Sequence, residues 1–404
     1  MHIIIGQGAA GTAAANLLRQ MAPLTPVTII TGEQDYFYSR IDLPDIIAGK
    51  YEPSASVLQQ AEDFVNLGID CRMGEMVEAI SPGDKTVSLK SGKVLRYGKL
   101  LLATGSSSVL PAIPGIGAKG VYSLWTMAQA RDIAAAAGTA KSVVVVGAGL
   151  IGLKTALALA ARGLKVTLVE KMASIMPRQL DSEGSGLLAE KVRSCGVEII
   201  TGSAMEEIEV SDGAVKGVKV AGRTMPADMV IMALGVRPNT ELAAAAGLAV
   251  GKGITVNEFQ QTSDQDIFAA GDCAEAVDNL SGSQTIQATW PVAVEQGSVA
   301  AYNMAGYKTL FGGSVAMNSV EIAGIPLVSV GDVIGQPGDD IFIDRRNGTY
   351  RKIVMRGKIA RGVICLGDIR QAGVIGGLVL RQMEIENVEK LVSPFFRYAD
   401  LIAV

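Results

Sequence analysis

The sequence predicts an α/β fold: two βαβ domains, one inserted in the other, followed by a small α+β domain. Three observations predict it. Two glycine-rich turns of one design sit about 140 residues apart, each directly after a β-branched strand. The first is His2-Ile3-Ile4-Ile5 into Gly6-Gln7-Gly8-Ala9-Ala10-Gly11, and the second is Val143-Val144-Val145-Val146 into Gly147-Ala148-Gly149-Leu150-Ile151-Gly152. Each runs on into an alanine- and leucine-rich helix. The strand Asp228-Met229-Val230-Ile231-Met232-Ala233-Leu234-Gly235 then echoes Lys99-Leu100-Leu101-Leu102-Ala103-Thr104-Gly105, as a duplicated plan requires. The composition agrees: 49% hydrophobic, 47 glycines and only 5% aromatic residues suit α/β layers whose strands read as continuous apolar runs.

The elements follow in order. Residues 1–31 read as strand, turn, helix and strand, ending in Val27-Thr28-Ile29-Ile30-Thr31. A polar, aromatic loop comes next, Tyr36-Phe37-Tyr38-Ser39-Arg40. The strand ending at Gly105 gives way to Ser106-Ser107-Ser108, and near residues 111–114 the prolines mark the exit from this domain. A complete βαβ unit runs from Ser142 to Lys165-Val166-Thr167-Leu168-Val169-Glu170. Asp266-Ile267-Phe268-Ala269-Ala270-Gly271-Asp272 returns the chain to the first domain. The expected domains are therefore 1–110 with 237–314, 111–236, and 315–404. The last holds short strands, a hairpin turn at Asn347-Gly348 and C-terminal helices.

A strand–turn–helix with G-x-G-x-x-G binds a dinucleotide for physical reasons. The first glycine makes the tight turn and the second admits the pyrophosphate backbone. The third lets helix and strand pack, leaving the diphosphate on the helix N-terminus. These are Rossmann-like domains, and two of them bring two dinucleotides together; the usual pair is FAD and NAD(P)H. Other chemistries are narrowed by composition. A net charge of −4 argues against nucleic acid. Residues 100–118 are long and uncharged but carry glycine and proline breakers, and a strand starting at residue 2 leaves no room for a signal segment, so the chain reads as cytoplasmic. Cys71, Cys195, Cys273 and Cys365 lie far apart without a C-x-x-C, and His2 is the only histidine. No metal site, histidine acid–base chemistry or catalytic side chain is expected, so redox chemistry falls to a bound cofactor.

At this point the residues resemble a family. Gly6/Gly8/Gly11, Ala103-Thr104-Gly105, Gly147/Gly149/Gly152, Ala233-Leu234-Gly235-Val236-Arg237-Pro238-Asn239 and Phe268-Ala269-Ala270-Gly271-Asp272 are similar to the FAD-dependent pyridine nucleotide-disulfide oxidoreductase superfamily. Tyr38-Ser39-Arg40-Ile41-Asp42-Leu43-Pro44 and Pro177-Arg178-Gln179-Leu180-Asp181 resemble its NADH:rubredoxin oxidoreductase branch, which includes the flavoprotein part of assimilatory nitrite reductases.

The resemblance implies the cofactor contacts. For FAD they are Gly6, Gly8, Ala10, Gly11, Val77, Ala103, Thr104, Gly105, Gly271, Asp272 and Trp290. Asp272 accepts from a ribityl hydroxyl. Arg40 bonds the diphosphate, where a guanidinium can be bidentate; standing alone it would be a solvated loop cation. Trp290-Pro291 with a helix over 292–302 points a positive helix end at the flavin pyrimidine, favouring the reduced anion. The usual ribose carboxylate position is Thr31, so the contact is assigned to Glu33 two residues on, the alternative being a surface acid in a turn. For NADH the contacts are Gly147, Gly149, Ile151, Gly152, Lys154, Glu170 and Gly235. Glu170 accepts from both ribose hydroxyls and repels a 2′-phosphate, so NADH is favoured over NADPH, although Lys171 and Arg178 nearby soften the repulsion.

Two departures matter. Relatives with thiol chemistry place a redox cysteine within the first 60 residues, and this chain's first cysteine is Cys71. Where many relatives have a glutamate near the nicotinamide this chain has Lys154, and Ile46 stands where ferredoxin reductases of oxygenases pair that glutamate with a lysine. Lys154 either faces the nicotinamide–flavin junction or snorkels from the first helical turn.

Between 345 and 361, Arg345, Arg346, Arg351, Lys352, Arg356, Lys358 and Arg361 stand without an acid among them. They form either a patch that steers a small acidic electron carrier or a solvated strand face. The expected function is transfer of electrons from NADH through FAD to rubredoxin or a ferredoxin-type iron–sulfur protein. The alternatives are a peroxide-forming NADH oxidase, a flavoprotein subunit of an iron–sulfur complex, and a non-catalytic nucleotide sensor.

Overall fold

The computed structural model describes residues 1–346, 348–393 and 395–397. Their contacts gather into two units. The first comprises Met1–Arg40, Pro53–Ser107 and Val236–Ser314, and the second Ile41–Glu52, Ser108–Gly235 and the described residues from Val315 onward.

In the first unit a five-stranded parallel sheet runs Ile69–Met73, Val27–Thr31, His2–Ile5, Lys99–Leu102, Ile267–Ala269. His2–Ile5, Val27–Thr31 and Ile267–Ala269 are buried along their whole length, which is why they read as unbroken apolar runs. The strand order reverses between His2–Ile5 and Lys99–Leu102, and the first glycine turn leaves the sheet at that switch point. The helices Ala9–Met21 and Trp290–Met304 pack against each other through buried Ala10, Ala14, Ala300 and Ala301. Their approach is close enough that a Cβ on Gly297 would strike the Ala10 carbonyl. A three-stranded meander, Val77–Ser81, Thr86–Leu89 and Val94–Arg96, completes this plan.

The second unit repeats it. Its parallel sheet runs Val197–Ile200, Lys165–Val169, Ser142–Val146, Met229–Met232, Val121–Ser123, with a meander of Met205–Ser211, Ala214–Val220 and Arg223–Pro226. Residues 41–52, expected with the first domain, gather here because helix Leu43–Ile47 packs on Met127–Ala136 and Leu150–Ala161. Arg162 ties them further by donating to the carbonyls of Ile47 and Ala134, at 3.0 and 2.9 Å.

The C-terminal part of this unit is a five-stranded antiparallel sheet ordered Met317–Ile322, Ile325–Gly331, Ile359–Leu366, Thr349–Arg356, Asp340–Arg346, followed by helices Ala372–Leu380 and Val388–Val392. Asn347 of the expected hairpin lies outside the described residues; Gly348 beside it has φ +75°.

Here the basic run proves not to be a patch. Thr349–Arg356 is an interior strand, so successive side chains enter opposite covered faces. Arg351 and Lys352 are both 4% exposed. Arg351 Nη1 donates to Gln371 Oε1 and to the Ser393 carbonyl, each at 2.9 Å. Lys352 pairs with Asp181. Arg345, Arg346, Arg356 and Lys358 reach solvent but pair with Glu183, Asp344, Asp339 and Glu386. Asp339 and Asp344 stand just before the run, while Asp181, Glu183 and Glu386 come from other stretches of sequence, which is why the run looked uncompensated. No described helix is long and apolar enough to cross a membrane.

Candidate functional site: two matched dinucleotide turns

The two turns are built from the same bonds. Gly6 N–H donates to the Ile30 carbonyl at 2.9 Å, and Gly147 N–H donates to that of Val169 at 2.8 Å. Ala103 N–H reaches Ile5 and Ala233 N–H reaches Val146, both at 2.8 Å. Gly6 and Gly147 have φ of +109° and +103°, where L side chains are strained. A Cβ on either would meet the carbonyl of Ala103 or Ala233, and one on Gly11 or Gly152 would meet that of Gly6 or Gly147. The second glycines differ: a Cβ on Gly8 or Gly149 meets no protein atom. Both are N-caps in extended conformation without a side-chain cap, so the first helical N–H groups have no side-chain acceptor. Open space in front of uncapped helix amides fits a pyrophosphate. The residues present therefore fit one dinucleotide in each unit.

Around the first turn the predicted residues fall as follows. Ala10 lies under Gly271, with 3.1 Å between its Cβ and the place a Gly271 Cβ would take. Gly105 and Gly271 adopt φ of +64° and +80°. Thr104 Oγ1 donates to the Asn239 carbonyl at 2.7 Å and Asn239 Nδ2 donates back to the Thr104 carbonyl at 2.8 Å, locking the Ala103-Thr104-Gly105 turn. Asp272 Oδ2 accepts from Ser106 Oγ at 2.9 Å. Burial pushes the Asp272 carboxyl above its ordinary range, while the Ser106 hydroxyl and the charge of Arg40 pull it back. Val77 opens the meander, buried, with Leu89 as its strand partner. Trp290 begins its helix two residues ahead of the predicted start and stacks on Phe37 with ring centroids 5.4 Å apart. Arg40 and Glu33 meet each other: Arg40 Nη2 is 2.5 Å from Glu33 Oε1.

In the second unit, Glu170 follows the strand Lys165–Val169 and faces its own glycine turn. Oε2 accepts from Ala148 N–H at 2.7 Å and Oε1 from Met172 N–H at 2.8 Å. The carboxylate is thus fixed at the mouth of the turn, where it can still accept from hydroxyls. Gly235 closes the Ala233-Leu234 strand end with φ +95°. Ile151 and Lys154 are half-buried on the first turns of Leu150–Ala161, and Lys154 makes no hydrogen bond or ion pair among the described residues.

Sequence reasoning missed three supports. Ser106 orients Asp272. Gln296, only 2% exposed, accepts the Gly271 N–H at 2.8 Å and so holds the turn that carries Asp272. Tyr38 donates to Glu33. Gln296 was discoverable as the one amide on the buried face of its helix, between Ala293 and Ala300. Cys71 is half-buried, and burial pushes its thiol up to about 11, away from thiolate chemistry.

Comparison with known proteins agrees with this geometry. The pyridine nucleotide-disulphide oxidoreductase family matches residues 1–297. A nitrite reductase [NAD(P)H] of Bacillus subtilis is 30% identical over 394 residues, covering 96% of this chain and 48% of its own, so the chain spans about half the length of that relative. An NADH oxidase of Methanocaldococcus jannaschii is 36% identical over 318 residues, 76% of this chain and 71% of its own. Among solved structures, the putidaredoxin reductase–putidaredoxin complex superposes with TM-score 0.89 at 27% identity, over 95% of this chain and 94% of that one. The NADH:rubredoxin oxidoreductase of Clostridium acetobutylicum gives 0.82 at 25%, over 96% of both.

Proposed function

The chain belongs to the pyridine nucleotide-disulphide oxidoreductase family, and from that premise we propose that it hands electrons from NADH to a small one-electron carrier. FAD and NAD(P)H are the cofactors of this family. The observation that carries the reading is the pair of matched turns, each with an open second glycine and an uncapped helix. FAD would sit on the Gly6–Gly11 turn, held by Arg40, Asp272 and the start of Trp290–Met304. NADH would sit on the Gly147–Gly152 turn, with Glu170 at its ribose.

Bound FAD supplies the conversion between a two-electron donor and one-electron acceptors. This chain's residues bind and orient. Gly8 and Gly149 admit the diphosphates, and the helix ends behind them complement the charge. Asp272, braced by Ser106, on a turn backed by Gln296, would hold the ribityl chain. The positive end of Trp290–Met304 would complement negative charge on the bound flavin. Positioning of this kind provides the rate, with no side-chain nucleophile.

For the acceptor, the family resemblance favours rubredoxin first and a ferredoxin-type iron–sulfur protein second; the basic run, partly buried and largely paired, adds no argument for an acidic partner. The 36% identity to an NADH oxidase supports a second reading, in which oxygen takes the electrons; with no cysteine before Cys71, its product would be peroxide. The test is anaerobic reduction of the FAD-loaded protein with NADH, followed by reoxidation with rubredoxin, ferredoxin or oxygen. Fast reoxidation by one carrier and sluggish reaction with oxygen is the expected result. Fast reaction with oxygen alone favours the oxidase, and a flavin that NADH does not bleach overturns both.

A further inference from the structure

The strand position that carries Glu170 in the second unit is Thr31 in the first, since Val169 and Ile30 take the same place beside Val146 and Ile5. Thr31 has no carboxylate to offer a ribose; its hydroxyl accepts the Glu33 N–H at 3.2 Å. Glu33, the nearest acid, is committed to the loop that follows. Its Oε2 accepts from the Tyr38 hydroxyl at 2.6 Å and its Oε1 from Arg40 Nη2 at 2.5 Å. The Arg40 guanidinium in turn lies over the Tyr38 ring, 5.3 Å from its centroid. Three side chains thus close a ring of contacts in the loop that follows Val27–Thr31.

We propose that Glu33 is a positioning residue for the cofactor diphosphate, acting through Arg40 and not by touching the ribose. The inference rests on reading this turn as the FAD site. A guanidinium carries five N–H donors in a rigid fork, so a carboxylate on one nitrogen and a phosphate on others are compatible. Fixing the fork beforehand removes side-chain entropy that binding would otherwise have to overcome. Glu33 and Arg40 have side chains 31% and 29% exposed, so their attraction is screened and the pair matters for orientation more than for folding. Tyr38 completes the device by occupying the second carboxylate oxygen, which keeps the carboxylate from turning away.

The experiment is a double-mutant cycle on the full chain stripped of flavin, reading the FAD dissociation constant by fluorescence quenching. Glu33→Ala and Arg40→Ala are each expected to weaken FAD about tenfold or more. The double variant is expected to bind no more weakly than Arg40→Ala alone. Glu33→Gln, which keeps the shape and one acceptor, should recover part of the loss, and it carries the same comparison if Glu33→Ala unfolds. A role confined to folding would lower the thermal midpoint of the apoprotein and leave the losses additive. Additive losses, or a Glu33→Ala protein that binds FAD like the wild type, overturn the proposal. A wild-type apoprotein that binds no FAD overturns the reading of the site itself.

Discussion

Lys352 Nζ lies 3.0 Å from Asp181 Oδ2, and the lysine side chain is only 5% exposed. The same oxygen accepts from Tyr350 Oη at 2.6 Å, while Oδ1 caps the helix Ser182–Ser194 through Gly184 N–H at 3.0 Å. One carboxylate therefore fastens the C-terminal sheet to the helix of the nucleotide domain within the second unit.

Removing that carboxylate leaves a buried cation. Asp181→Ala is expected to cost about 3 kcal/mol in urea unfolding. Lys358→Ala, which breaks a pair exposed by 58% and 61%, is the control and should change nothing measurable. Burial pushes the Asp181 carboxyl up, but Tyr350, Gly184 N–H and Lys352 outweigh it and leave it below the ordinary range. A depressed folded value gives stability that is present above the ordinary carboxylate value and lost as pH falls through the folded one. The Asp181→Asn deficit should accordingly be largest near neutrality and shrink in acid.

Asp272 has the opposite sign. Its carboxyl is raised by burial, so keeping it ionised opposes folding above the raised value, and this penalty vanishes as pH falls below the ordinary one. Asp272→Asn should raise the thermal midpoint of the apoprotein near neutral pH but not in acid. The same variant should bind FAD about tenfold more weakly, because a charge-assisted bond to a sugar hydroxyl is lost. A variant that gains stability and keeps its FAD affinity would show that Asp272 does not hold the cofactor.

The glycines separate folding from binding. Gly149→Ala has room for its methyl group and an ordinary φ of −77°, and should cost less than about 1 kcal/mol of stability. Its methyl takes the pyrophosphate's space, so the KM for NADH should rise about tenfold or more. Gly147→Ala meets the Ala233 carbonyl at a positive φ and should cost more than about 2 kcal/mol. Unfolding midpoints and NADH saturation curves for the two proteins check the contrast.

Glu170→Gln keeps the side-chain shape and one of the two oxygens that accept from Ala148 and Met172 N–H, but loses the charge expected to face the ribose. The ratio of kcat/KM for NADH over NADPH should fall about tenfold, mainly through better use of NADPH. An unchanged ratio would place the source of nucleotide preference elsewhere.

The frame of the fold was legible in the chain because its signals are local. Unbroken apolar runs announced buried parallel strands, and glycine spacing announced both turns. What stayed hidden depends on residues distant in sequence. Arg351 and Lys352 read as solvated charge because their partners, Ser393, Gln371 and Asp181, are supplied by other stretches. Ser106 gave no hint of Asp272, 166 positions on, and nothing near Glu33 signalled that Arg40 and Tyr38 would claim both its oxygens.

The duplicated turns share a steric frame and differ in their polar anchor: Glu170 in one half, Thr31 with the Glu33–Tyr38–Arg40 ring in the other. A gene duplication that preserves the backbone constraints and rewrites only the anchor gives selection two separate dials. On the reading proposed above, substitutions at 31, 33 or 40 would retune one nucleotide and substitutions at 170 the other. Change at these few codons, more than any change of fold, is where the descendants of such a duplication would diverge.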